Sequence, residues 1–387
     1  HVLPMYSFEK KTVNGTAGVE YIQALKGVSQ YLELGITAKK FSFQERIRTV
    51  RDNDGFTEAN YNYVKIKPYV VYHFPKVSMR STRSKTLSLA LDQVFLNPQF
   101  DFVDTDTLPG PSFFKSNQRS FATLFYVSEN KRVLNGYYFE GSLEYGRITN
   151  DRVSGEKVRT VNLNNDSINV FPKVGSDQDV SDFLKLSGVY QYCLDIGIKD
   201  KPLEFRVFGT YLFKRSNDDL YNNKVGSSNK AGHYDYKFDD YLMHRNAQDG
   251  MFQNQIDNSA DASKFVGSIG IPDKWLVSGS ITLPLPGKIP IKPYVEFLVY
   301  DDLATQRWNV SKSKMIFNAG LEIEIVKDRF EIFLNLAQSK DVTNYQDGTV
   351  GGLQYPGTID TFGERITFVL DLNGMRPNKL KKNLKLF

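Results

Sequence analysis

From residue 183 to residue 198 the chain alternates between two faces without a break. One face carries Leu184, Leu186, Gly188, Tyr190, Tyr192, Leu194, Ile196 and Ile198. The other carries Phe183, Lys185, Ser187, Val189, Gln191, Cys193, Asp195 and Gly197. A period of two marks an extended strand. At ~3.3 Å per residue this one spans roughly 50 Å, where ordinary strands span ~17–20 Å. A sandwich in water rarely needs such a strand, but a tilted strand that crosses a bilayer and continues beyond it does.

The pattern recurs along the chain. Leu32, Leu34, Ile36 and Ala38 alternate with Glu33, Gly35 and Thr37. Val64, Ile66, Val70, Tyr72 and Phe74 oppose Tyr63, Lys65, Lys67 and His73. Leu87, Leu89 and Leu91 oppose Thr86, Ser88 and Asp92, and further candidates cover 121–125, 137–145, 203–213, 275–283, 291–300, 315–325, 330–336 and 366–372. Helical periodicity is nearly absent. No apolar run is long enough for a helical membrane span.

The links between these segments alternate in length. Short links at 26–27, 75–84, 130–131, 200–202, 285–290 and 327–329 are separated by long polar ones at 43–60, 94–118, 150–181, 214–274, 304–314 and 340–360. Tight turns on one side and extended loops on the other are the arrangement of an outer-membrane barrel. A further strand over 3–9, with a turn at Asn14 and Gly15, brings the count to about 14. The sequence therefore predicts an all-β fold, a closed antiparallel transmembrane β-barrel of about 14 strands with short periplasmic turns and long extracellular loops. The first strand is expected to close the ring against 361–372, since an open edge leaves unpaired groups in hydrocarbon. On this reading residues 1–374 form the barrel in a bacterial outer membrane, both termini are periplasmic, and 375–387 form a basic periplasmic tail. That tail carries Lys379, Lys381, Lys382 and Lys385. Cations in the short turns (Lys26, Lys131, Lys201, Lys288, Lys327 and Arg329) read either as solvated residues or as contacts to anionic head groups. Tyr61, Tyr63, Tyr137, Tyr138, Tyr211, Phe213, Tyr294 and Tyr300 suit interfacial girdles or the lumen.

The 214–274 loop is too long for a structureless connection in a compact domain. Its cluster of Tyr234, Tyr236, Phe238, Asp239, Asp240, Tyr241 and Leu242 predicts that it folds inward or over the mouth, and Tyr236, Phe238, Asp240, Tyr241 and Arg245 are the candidate cap or plug residues.

Catalytic chemistry is not legible. The histidines are His1, His73, His233 and His244, and no H-E-x-x-H or H-x-x-E-H motif can be written. No G-x-S-x-G elbow and no phosphate-binding loop occurs. His233, His244, Asp235, Asp239 and Asp240 share the long loop without the spacing of a known ligand set. Acid pairs at Asp104/Asp106, Asp218/Asp219 and Asp301/Asp302 lack the grammar of a calcium loop. A single Cys193 excludes an internal disulfide, and the net charge of +5, without a basic aromatic-interleaved stretch, argues against nucleic acid as a partner. No catalytic, cofactor or metal site is expected in these residues, and the expected partners are outer-membrane lipid and other outer-membrane or periplasmic proteins. His1, Val2 and Leu3 carry neither an initiator Met nor a signal pattern, so the chain reads as processed or excerpted.

Three stretches carry a family resemblance: 236–246 (YKFDDYLMHRN), 273–276 (DKWL) with 283–294 (LPLPGKIPIKPY), and the opening LPMY with GTAG at 15–18. Together they resemble the C-terminal region of aminopeptidase-N-like (gluzincin) zinc metallopeptidases of Bacteroidota. His244 stands where the family segment often has Gly. The resemblance implies an outer-membrane anchor that positions a periplasmic aminopeptidase-like domain lying upstream, with zinc confined to that domain. Two other functions fit a barrel: an accessory or interaction subunit of a secretion, assembly or uptake machine, and a stand-alone channel or porin.

Overall fold

The computed structural model describes residues 2–7, 12–48, 56–100, 114–152, 159–163, 166–170, 178–198, 201–215, 236–237, 239, 254–256, 264–265, 272–287, 290–302, 313–326, 330–340, 342–343, 349–350, 353–354 and 365–370. Nearly all are strand. In chain order these are β1 (Val2–Ser7), β2 (Thr12–Ala24), β3 (Tyr31–Arg48), β4 (Phe56–His73), β5 (Arg83–Phe100), β6 (Phe114–Asn130) and β7 (Gly136–Arg152). Next come β8 (Arg159–Leu163), β9 (Asp166–Val170), β10 (Gln178–Leu194), β11 (Leu203–Arg215) and β12 (Gln255–Ile256). The remainder are β13 (Pro272–Thr282), β14 (Ile291–Asp302), β15 (Ser313–Val326), β16 (Phe330–Gln338), β17 (Thr349–Val350), β18 (Leu353–Gln354) and β19 (Ile366–Leu370).

One sheet takes fifteen of them, in the order β1-β2-β3-β4-β5-β6-β7-β10-β11-β13-β14-β15-β16-β19-β12. It is an antiparallel meander apart from β12, which pairs in parallel with β19 through Gln255↔Phe368 and Ile256↔Val369. Leaving out this two-residue strand, the sheet has the fourteen strands that the alternation predicts. β8 with β9 and β17 with β18 form separate hairpins inside links read from sequence as loop.

Strand ends correct the expectations in both directions. β3, β4 and β5 have 18 residues each, and they run well into the predicted loops at 43–60 and 94–118. Cross-strand hydrogen bonding continues there without apolar alternation, which is why the pattern alone stops short. β10 instead ends at Leu194, although alternation persists to Ile198. Gly197 adopts φ 82°, and its N–H donates to the Asp195 carboxylate at 2.9 Å, so the chain turns while the pattern is still running. Asn14 and Gly15 are not a turn: they lie inside β2, opposite Met5 and Pro4.

The predicted closure is also corrected. Among the described residues β1 pairs only with β2, and the far side of β19 holds β12 in place of β1. The sheet is therefore open as described. No helix among these residues is long and apolar enough to cross a membrane.

The two faces differ in composition. On one, Val64, Ile66, Leu89, Leu91, Leu143, Val207, Val277, Val295 and Phe297 are 37–49% exposed. On the other, Lys65, Asp92, Thr123, Glu144, Ser278, Glu296, Asn318 and Thr367 are buried beside Val94, Ile148, Leu276 and Ile316. Of the proposed girdle, Tyr63, Tyr294 and Tyr300 are buried, whereas Tyr211 and Phe213 are exposed. A water-soluble sheet sorts its residues the other way. Burying a large apolar side chain is worth about 1.5–3 kcal/mol, so leaving it half exposed forfeits on the order of 1 kcal/mol. Repeated over every strand, that loss would exceed an ordinary folding margin of about 5–15 kcal/mol.

Candidate functional site

Three consecutive rungs of the sheet build the site, and strand register aligns them. The first rung runs Lys39, Lys65, Val94, Arg119, Ile148, Ser181 across β3, β4, β5, β6, β7 and β10. Two residues along each strand, hence on the same face, the second includes Asp92, Phe121, Gly146 and Phe183. The third includes Ala90, Thr123, Glu144 and Lys185. Alternation thus delivers four cations, two acids and two phenylalanines to one patch of the buried face.

Residues from the link between β11 and β13 lie on this patch. The Tyr236 ring meets Phe121 at 5.4 Å and Phe183 at 6.0 Å between centroids, both edge to face. Gly146 sits between the two phenylalanines, and a Cβ there would come 2.2 Å from the Phe183 ring. Glycine is therefore required for the socket that seats Tyr236. The Tyr236 hydroxyl donates to Glu144 and accepts from the Lys185 ammonium. Its carbonyl accepts from Arg119 Nη1 at 3.0 Å. Lys237 forms an ion pair with Glu144 and donates to Thr123 Oγ1 at 2.9 Å, while its carbonyl accepts from Lys65 Nζ at 2.8 Å.

Asp239 completes the seat. Its Oδ1 lies 2.7 Å from Lys65 Nζ and 3.4 Å from Lys67 Nζ, and its carbonyl accepts from Lys39 Nζ at 2.7 Å. Lys65 also lies 2.8 Å from Asp92, with both side chains 1% exposed. Burial alone would raise the Asp239 carboxyl, but the charges of Lys65, Lys67 and Lys39 outweigh it and hold the group well below the usual carboxylate range.

A second contact of the same link has the opposite polarity. The Lys264 N–H donates to Glu296 at 2.8 Å, and its ammonium reaches Glu322 at 2.8 Å. That ammonium also stands 4.5 Å from the ring centres of Tyr294 and Phe333. The Lys264 carbonyl accepts from Asn335 at 3.3 Å and from Thr367. An acidic residue of the link thus meets a cationic wall on β3 and β4, and a basic one meets an acidic wall on β14 and β15.

Of the sequence-predicted plug residues, Tyr236 is in this seat. Phe238, Asp240, Tyr241 and Arg245 lie outside the described residues, as do His233 and His244. Asp239, considered above as a metal ligand, is engaged by lysines. Asp301 accepts the N–H groups of Lys274 and Trp275 at 2.9–3.0 Å and so caps the irregular start of β13. Glu322, Glu324 and Glu331 place carboxylates within 4.8 Å of one another, but Lys292 lies 2.5 Å from Glu324 and Lys264 2.8 Å from Glu322, so two of the three acids are already engaged by cations. Arg119, Glu144 and Lys264 were not singled out from the sequence. For Arg119 and Glu144 the available signal was a charged residue at a buried-face position of an alternating strand, as Lys65, Lys67 and Asp92 also show, whereas Lys264 lies in the link and outside any such pattern.

No protein-family model matches the chain, and no curated protein matches it either.

Proposed function

We propose that this chain is an integral β-barrel of a bacterial outer membrane, with its lumen occupied by the link between β11 and β13, and that it serves as an anchor rather than an open pore. The sheet's unusual sorting carries this reading, with apolar side chains exposed on one face and lysines, carboxylates and amides buried on the other. Lipid is the solvent in which that arrangement is stable.

The occupied patch on the buried face favours anchoring over transport. A channel needs a continuous water-filled path, whereas here Tyr236, Lys237, Asp239 and Lys264 fill hydrogen-bonding positions on both walls. As the resemblance implies, the anchored element would be an aminopeptidase-like periplasmic domain upstream of His1. A second reading, an interaction subunit of an envelope machine, draws support from the turn rim. There Val77 and Met79 are 96% and 79% exposed between Lys76 and Arg80, and the Lys76 N–H is tied to the Val28 carbonyl of the neighbouring turn at 2.8 Å.

Conductance in a planar bilayer tests the anchor reading. The intact chain should pass little current, and deleting residues 217–263 should open steps of stable conductance. Equal conductance with and without the deletion would contradict it.

A further inference from the structure

The seat of Tyr236, Lys237 and Asp239 recognises main chain as well as side chains. Three backbone carbonyls, of residues 236, 237 and 239, are each met by a long cationic donor from a different strand: Arg119 of β6 at 3.0 Å, Lys65 of β4 at 2.8 Å and Lys39 of β3 at 2.7 Å. Side-chain selection is added at three points. Phe121 and Phe183 hold an aromatic ring, Glu144 holds the following cation, and Lys65 with Lys67 holds a carboxylate two residues later. Carbonyl recognition supplies affinity independent of sequence, and alternate pockets supply specificity, the division of labour found in peptide-binding sites. Here three carbonyls with cationic donors and three selective side-chain pockets fall within four consecutive residues.

We propose that this wall is a peptide-binding site, held in cis by the chain's own segment, and that it accepts in trans a peptide of the pattern aromatic–basic–any–acidic. The inference rests on the reading that the segment is seated inside the sheet, and it adds a ligand class to that reading. A tethered occupant competes at an effective concentration in the millimolar range for short tethers, so a free peptide sees a site that is mostly taken. Affinity for a trans peptide is lowered by the fraction occupied in cis.

The probe is fluorescent acetyl-Tyr-Lys-Phe-Asp-amide, with the reversed sequence as control, titrated against the full chain in detergent micelles. The triple variant Y236A/K237A/D239A should bind the probe at least about tenfold more tightly than the unaltered chain, the effect of vacating an occupied site. Adding K39Q and R119Q should remove that gain, and the reversed peptide should bind poorly throughout. Hydrogen exchange at residues 236–239 of the unaltered chain provides a second measurement that needs no variant. These amides should be protected, and millimolar probe should accelerate their exchange severalfold. Fast exchange without probe means the segment is not seated, which removes both the plug reading and this inference. Protected amides unmoved by probe, with no gain in the triple variant, mean that the segment is a structural plug only, and the inference alone falls. Equal binding of the reversed peptide also overturns it.

Discussion

At the scale of single residues, the seat depends on groups chosen for what they leave room for. Gly146 is the clearest case. Replacing it with Ala drives a methyl group into the Phe183 ring, whose shift removes one wall of the Tyr236 socket. Overpacking of this kind costs about 1–3 kcal/mol. G146A should therefore lower stability by that amount and speed hydrogen exchange at 236–237 more than elsewhere in the chain. Uniform acceleration would show that the socket has no special role. Asp239 gives a pH prediction. Its folded carboxyl titrates below the ordinary value of about 3.9, so its stabilisation is complete above that value and is lost as the pH falls through the folded range. The difference in thermal midpoint between the unaltered chain and D239N should be present at pH 7 and shrink at pH 3. A difference that grows on acidification would reverse the assignment. Little of this was legible in sequence. Tyr236 and Asp239 stood out as part of an aromatic–acidic cluster. Glu144 and Arg119, on strands more than 80 residues away, are joined to them only through strand register, and no local pattern reports that.

At the scale of the strand, the two faces impose opposite demands. Period-two alternation made most strands visible, and it placed Val64, Ile66 and Val70 on one side and Tyr63 and Lys65 on the other, as the structure does. It failed where pairing outlasts alternation, at the outer ends of β3 to β6, and where a turn is set by backbone geometry, at Gly197. β12 was invisible because two residues carry no period. The alternation also predicts the response to charge. In the proposed membrane setting, Val277→Arg on the exposed face should cost about 2–4 kcal/mol if the site lies near the bilayer midplane. Its neighbour Ser278, 2% exposed, faces the other side. V277R should therefore fold poorly into phospholipid vesicles, while S278T, a small polar change on the buried face, should fold nearly as the unaltered chain does. Equal folding of both would deny the sidedness of β13.

At the scale of the whole molecule, a fourteen-strand meander with an added parallel β12 exposes apolar side chains on one face and buries charged and aromatic side chains on the other. The link between β11 and β13 touches β3 to β10 through residues 236–239 and β14 to β19 through Lys264, so one segment ties together strands far apart in the sheet order. That tie makes the pairing of distant strands and the seating of the link parts of one structure. Weakening one should loosen the other. The central claim is that the exposed face is solvated by lipid. Its most direct measurement uses a C193S background with single cysteines carrying an environment-sensitive fluorophore, placed in turn at positions 277, 281, 295 and 297 and at 278, 280, 282 and 296, in vesicles containing a brominated phospholipid. The account predicts strong quenching at the first four positions and weak quenching at the second four. Equal quenching across the two sets, or quenching confined to the second, would contradict it.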